Sequence, residues 1–247
     1  MRHTERVTRR RARARARGVI AAVCAVAVIA VIAGLIAVAT RPSAADAPLS
    51  ASPAAAAPTA DGSDVEAEWL ERVSAETEIP ERALAAYARA DLDARSVFGC
   101  TVGWNTLAGI GYVESRHGTL QGGAVDDDGV ARPAIIGIPL DGTNQTMDIA
   151  DTDGGVLDGD TEGDRAVGPL QFIPETWTTW GVDGDGDGAV DPHDIDDAAL
   201  TAARYLCRQH ATLTGAASWI EAIRSYNDTG DYQRQVAEAA TRYGDAG

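Results

Sequence analysis

The stretch "DRAVGPLQFIPETWTTWGVDGDGDGAVDPHDIDDAALTAARYLC", Asp164 to Cys207, carries the signals that decide the fold. Gly168-Pro169 predicts a tight turn. Gln171 follows as a lone amide among Leu170, Phe172 and Ile173. An acidic loop comes next, with seven aspartates between Gly181 and Asp197. The stretch closes on a helix that places Ala199, Ala202, Ala203, Leu206 and Cys207 on one face.

Aspartates spaced by glycines suit a hard cation held by oxygen. The EF-hand pattern is D-x-D-x-D-G, five residues, then Glu. Asp183, Asp185, Asp187 and Gly188 match its first half, and Ala189 would give a backbone carbonyl. The twelfth position is Asp194, whose side chain is one methylene shorter than Glu. Asp194 and Asp197, which opens the next helix, are the two candidates for the closing ligand. The competing reading is a solvated acidic turn without an ion. A second acidic run, Asp151 to Asp164, lacks this order and reads as part of a loop over the groove.

Outward from there, the signals are mainly helical. "DVEAEWLERVSAETE" carries Val65, Trp69 and Val73 at helical spacing. Pro80 sits at the start of an alanine-rich helix. "GWNTLAGIGYVESRHG" is apolar or small on every side from Leu107 to Val113, which predicts a buried helix that Gly118 can end. "GAASWIEAIRSYN" and "DYQRQVAEAATRY" add two more helices. Between Thr119 and Arg165 lies a Gly- and Asp-rich stretch, too long and too irregular for an ordinary connection, so a functional loop is expected. Within it, "ARPAIIGIPLDG" predicts a short hairpin.

The N-terminal part is different. Residues 1–18 hold eight arginines and one glutamate, leaving 13 Arg against 36 acids in the remainder. A body this acidic argues against nucleic acid, whose phosphates demand a basic face. Val19 to Ala39 is 21 residues without a charge, enough to span a bilayer as a helix. The preceding arginines place the N-terminus inside and the rest of the chain outside. A cleaved signal peptide is the rival reading, but its apolar region is normally shorter. Residues 40–63 read as an Ala/Pro/Ser-rich linker, and a folded domain is expected over 64–247. Cys24 lies in the span. Cys100 and Cys207 lie in the exported part, where oxidation is permitted, and are expected to pair. Two buried thiols are the alternative.

Three short motifs carry candidate chemistry. Glu114 is the first charge after the buried run and sits in the last helical turn. Apolar surroundings and the negative end of the helix dipole both oppose its ionisation, the condition for a general acid near neutral pH. The competing reading is a helix-end glutamate paired with Arg116. Gln171 would need partners if buried, either a sugar or another core group. Asn227, in "SYN", reads alone as a helix cap.

Taken in order, Glu-Ser after a buried helix, Gly-Pro-Leu-Gln-Phe and Ser-Tyr-Asn resemble the lytic murein transglycosylases. Residues 164–207 are similar to the membrane-bound B-type branch, in which a calcium loop follows the Gln-Phe motif. The resemblance spans about 64–245. It implies a mainly α, lysozyme-like α+β fold with a small β-hairpin, a long loop and an EF-hand-like calcium loop. It implies Glu114 as sole catalytic acid and base, with Ser115, Gln171, Phe172, Tyr226 and Asn227 lining a glycan groove. The implied substrate is peptidoglycan, the implied metal is structural Ca2+ on Asp183, Asp185, Asp187, Ala189 and Asp197, and a monomer is expected. Leu170 departs from the family, where Met is common. A hydrolytic muramidase and a non-catalytic, calcium-dependent wall-binding module are the competing functions.

Overall fold

The computed structural model describes Ala54, Ala55, Thr59 and residues 65–247, apart from Gln145 and the side chain of Gln121. The arginine cluster, the apolar run Val19–Ala39, Cys24 and most of the linker lie outside the described residues. Among the described residues no helix is long and apolar enough to cross a membrane.

Among the described residues seven α-helices carry the fold: α1 (Ala67–Thr77), α2 (Glu81–Val97), α3 (Trp104–Ser115), α4 (Pro174–Trp180), α5 (Ile195–Leu206), α6 (Ala216–Tyr226) and α7 (Gly230–Gly244). Four short strands lie between α3 and α4: β1 (Ala124–Val125), β2 (Ala131–Arg132), β3 (Ile136–Pro139) and β4 (Arg165–Val167). The class is mainly α, as the periodicity predicts.

Helix α3 is the centre. It packs against α7 and α2, while α2 also packs against α5 and α1. Leu107 to Gly111 are buried on every side. Two glycines allow the close approach. A Cβ on Gly109 would stand 3.0 Å from the Val236 carbonyl oxygen, and one on Gly111 would collide with the Tyr87 hydroxyl. The buried alanines of α2 and α5 serve the same end, letting helix axes approach without large side chains between them. Gly118 does not end α3. The helix stops at Ser115, and Arg116 takes the left-handed conformation at φ 54°. Its N–H reaches the Tyr112 carbonyl at 3.2 Å, and the His117 N–H reaches that of Gly111 at 2.9 Å.

Cys100 and Cys207 form the expected disulfide, with Cα atoms 6.1 Å apart. It joins the segment before α3 to the end of α5. Closing so long a loop stabilises the fold by about 3–5 kcal/mol.

The predicted local hairpin in "ARPAIIGIPLDG" is not formed. Its two halves enter different two-stranded sheets: β2 pairs with β1, and β3 pairs with the distant β4. Pro133, which lacks an N–H, separates them. The long stretch after Thr119 is also better ordered than its composition suggests. Aspartate carboxylates bind backbone N–H groups throughout it. Asp164, fully buried, takes the Thr152 N–H at 2.9 Å and its hydroxyl at 2.7 Å. Asp153 holds Gly155 and Leu157, and Asp158 holds Asp160 and Arg165. Short carboxylates replace a strand ladder as the backbone's partners.

Candidate active site

Glu114 stands in the last turn of α3 and keeps partial exposure. Burial of its carboxyl raises its pKa to about 7, opposed in part by hydrogen bonding from Tyr232. It does not pair with Arg116. That side chain folds back on its own helix, donating to the Tyr112 carbonyl at 2.5 Å and lying 3.9 Å over the Tyr112 ring. A carboxyl without a cation, among apolar and aromatic groups, holds its proton to near neutrality.

Two tyrosines face it. Burial, then the nearby Glu114 charge, push the hydroxyls of Tyr226 and Tyr232 well above their ordinary range. Both therefore remain protonated donors. Their rings stack at 6.4 Å and 5°. The Tyr226 hydroxyl donates to the Leu170 carbonyl at 2.8 Å, tying the end of α6 to the turn after β4. The Tyr232 hydroxyl is buried and has no well-formed hydrogen bond among the described residues. It sits beside Glu114, available to a carboxylate or to an incoming hydroxyl.

The Gly168–Phe172 segment is a tight loop. Val167 and Phe172 exchange both backbone hydrogen bonds, at 2.8 and 2.9 Å. Gln171 sits at its tip with φ 49°. Its Nε2 donates to the Gly168 carbonyl at 2.9 Å. Its Oε1 packs over Gly137 of β3, where a Cβ would come within 3.0 Å. Among the described residues no hydrogen bond is donated to this oxygen.

The remaining expected groove residues divide. Ser115 does not line the groove. It is 0% exposed; its hydroxyl donates to the Pro169 carbonyl at 2.6 Å and accepts the Gly118 N–H at 2.8 Å. It fixes the Glu114 turn against the Gln171 loop. Phe172 is largely buried, 5.4 Å from the Trp177 ring and 5.7 Å from that of Tyr226, so it packs in the core instead of lining an open surface. Leu170 is fully buried beneath it. Asn227 is exposed and caps α6 with extended backbone, its Oδ1 accepting the Thr229 N–H at 3.1 Å. Tyr232 was not among the expected residues. It lies on another helix, and no local spacing links it to Glu114.

The acidic loop follows α4. Asp183, Asp185 and Asp187 bring carboxylate oxygens within 4.8 Å of one another. Each also folds the loop: Asp183 accepts the N–H of Gly186 and Gly188, Asp185 that of Asp187, and Asp187 that of Ala189. Asp194 and Asp197 take different tasks. Asp194 is the N-cap of α5, accepting the Asp196 N–H at 2.8 Å. Asp197 turns to the loop, its two oxygens accepting the N–H of Gly184 at 2.6 Å and of Asp191 at 2.7 Å. Burial first, then the charges of Asp194 and Asp185, raise its pKa to about 6. Uncompensated carboxylates on a glycine-rich loop are a donor set of hard oxygens that fits Ca2+. Asp151, Asp153 and Asp164 also bring carboxylate oxygens within 4.8 Å, with each Asp164 oxygen already accepting one bond from Thr152.

Residues 145–235 match the family model described as "Transglycosylase SLT domain". This segment contains Gln171, the acidic loop, Tyr226 and Tyr232. Among solved structures, the chain is similar to the Escherichia coli lytic transglycosylase Slt35 in complex with bulgecin A, at 17% identity and TM-score 0.41, covering 72% of this chain and 77% of that one. The calcium complex of Slt35 gives 17% identity and TM-score 0.40 over 72% and 78%. SltB3 from Pseudomonas aeruginosa, in complex with NAG-anhNAM-pentapeptide, gives 16% identity and TM-score 0.39 over 70% and 65%. No curated protein matches the chain. Over residues 145–235 the chain is thus similar to the transglycosylase SLT domain family.

Proposed function

We propose that this protein cleaves the MurNAc-β-1,4-GlcNAc bond of peptidoglycan and closes the released MurNAc into its 1,6-anhydro form. The observation that carries the reading is Glu114, a carboxyl with a pKa raised to about 7 and without a cationic partner. Protonated Glu114 donates to the glycosidic oxygen as the C1–O bond breaks. The resulting carboxylate takes the proton of the MurNAc 6-hydroxyl as that oxygen bonds to C1. The proton lost in the first step is regained in the second, and no water is consumed. One carboxyl then does what hydrolytic glycosidases divide between two. Tyr226 and Tyr232 stay protonated beside it. Gln171 offers its Oε1 to a sugar hydroxyl or acetamide, and Asn227 its exposed amide.

Asp183, Asp185, Asp187, the Ala189 carbonyl and Asp197 would hold a structural Ca2+. The ion supplies charge neutralisation and cross-links the loop. The convergent carboxylates and the inward turn of Asp197 support this set, and the N-cap task of Asp194 argues against its use as closing ligand. The charge-free run Val19–Ala39 supports an uncleaved membrane anchor with the domain outside, where its substrate lies.

The test is to incubate the full-length protein with purified peptidoglycan and weigh the products. Anhydro ends are expected. Reducing ends would show a hydrolase instead, and binding without release would show a wall-binding module. Glu114→Gln is expected to lower turnover by about a thousandfold; undiminished cleavage by that variant overturns the assignment.

A further inference from the structure

Tyr112 precedes Glu114 by two residues, which on a helix places it about 200° around the axis. On that flank lies a cleft of about 600 Å³ that Glu114 does not line. Its wall is aromatic and fixed. The Tyr112 ring lies 6.0 Å from that of His117 and 6.3 Å from that of Tyr243. His117 is locked between hydroxyls, Nε2 at 3.0 Å from Tyr243 and Nδ1 at 3.3 Å from Tyr87.

Two guanidiniums converge on this wall. Arg116 lies 3.9 Å over the Tyr112 ring, and Arg242 lies 5.0 Å from the same ring and 4.8 Å from that of Tyr243. Neither is paired with a carboxylate among the described residues. Arg204 and Arg208 share that state, over the rings of Trp180 and Tyr205, but each lies over its own ring. Arg116 and Arg242 differ in sharing one ring, that of Tyr112, at the wall of a cleft, where two guanidiniums can grip one carboxylate. His117 adds no charge: burial and the two arginines hold it down to about pKa 3, so it is neutral.

The cleft's lining also includes Glu76, Glu78 and Asp245. Glu76 is engaged by Arg72 at 3.8 Å; the other two have no cationic partner among the described residues. A polyanion would be repelled by these carboxylates, and a neutral sugar would not use two guanidiniums. A ligand with a carboxylate and an ammonium separated by an apolar portion uses every group present.

We propose that this cleft is a second binding site for a short zwitterionic peptide, with a carboxylate on Arg116 and Arg242, an ammonium toward Glu78 and Asp245, and its aliphatic part on Tyr112 and Tyr243. Naming that peptide as the stem of peptidoglycan rests on the function proposed above. Because the cleft and Glu114 share the last turn of α3, the stem is gripped on one side of the helix whose other side meets the glycan.

The probe is the tetrapeptide L-Ala-γ-D-Glu-L-Lys-D-Ala, titrated calorimetrically into the full-length protein. Binding is expected, weakened about tenfold or more by Arg116→Gln and by Arg242→Gln. Arg242→Lys, which keeps the charge, holds the loss to a few-fold. Amidating the peptide's carboxyls or acetylating its lysine weakens binding likewise, and Glu114→Gln leaves it unchanged. No binding, binding indifferent to both arginines, or equal competition by inorganic phosphate overturns the proposal. Arginine-dependent peptide binding by a protein that releases no glycan would keep the site and sink the transglycosylase reading; cleavage without such binding does the reverse.

Discussion

The Ser115 hydroxyl donates to the Pro169 carbonyl over 2.6 Å, inside a fully buried contact. The residue next to Glu114 is thereby fastened to the turn that carries Gln171. The two sides of the groove are held in register by this bond and by that of Tyr226 to Leu170.

Ser115→Ala removes both the bond to Pro169 and the acceptor for the Gly118 N–H. A loss of about 1–3 kcal/mol in unfolding free energy is expected, because the partners stay buried and unsatisfied. Activity should fall through a looser Gln171 loop, while the pH at which the rate declines stays where it is. A shifted pH profile would mean that Ser115 acts on the Glu114 proton instead.

Glu114 also sets a pH dependence of stability. Its folded-state pKa of about 7 lies above the ordinary 4.5. The folded state therefore holds the proton more tightly than the unfolded chain. Stability is lost as pH rises from about 4.5 through 7, and the loss is complete above that. Glu114→Gln should be more stable than the parent above pH 7 by about 1–3 kcal/mol, and no more stable below pH 4. Denaturant titrations at pH 4 and pH 8 measure the difference.

Asp197→Ala removes the acceptor of the Gly184 and Asp191 N–H groups and the proposed closing ligand together. Its melting temperature should fall further below the parent's in calcium than in chelator. Asp194→Ala removes a helix cap and should cost about 1 kcal/mol under both conditions. If the calcium-dependent loss follows Asp194 instead, the ligand assignment is wrong.

The helices were legible because burial on one face, or on all faces for α3, leaves a periodic trace in the sequence. The raised pKa of Glu114 was legible for the same reason, from its place as the first charge after a charge-free turn. The strand pairing was not. β3 finds β4 across a loop whose order comes from aspartate-to-backbone bonds, and such bonds leave no periodicity. Ser115 was misplaced because a serine beside a catalytic position reads the same whether its hydroxyl faces sugar or a carbonyl. Tyr232 was missed because its relation to Glu114 exists only after α7 packs on α3.

Gly168 has φ 76°, and a Cβ there would collide with the Pro192 carbonyl at the far end of the acidic loop. The first residue of the Gly-Pro-Leu-Gln-Phe motif is thus dictated by a neighbouring loop and not by any sugar. A chain that had lost its catalysis but kept that loop would still retain the glycine. Under the proposed function, the motif's amide and the distant glutamate are the groups tied to turnover, so a relative is better judged by Glu114 and Gln171 than by the motif as a whole.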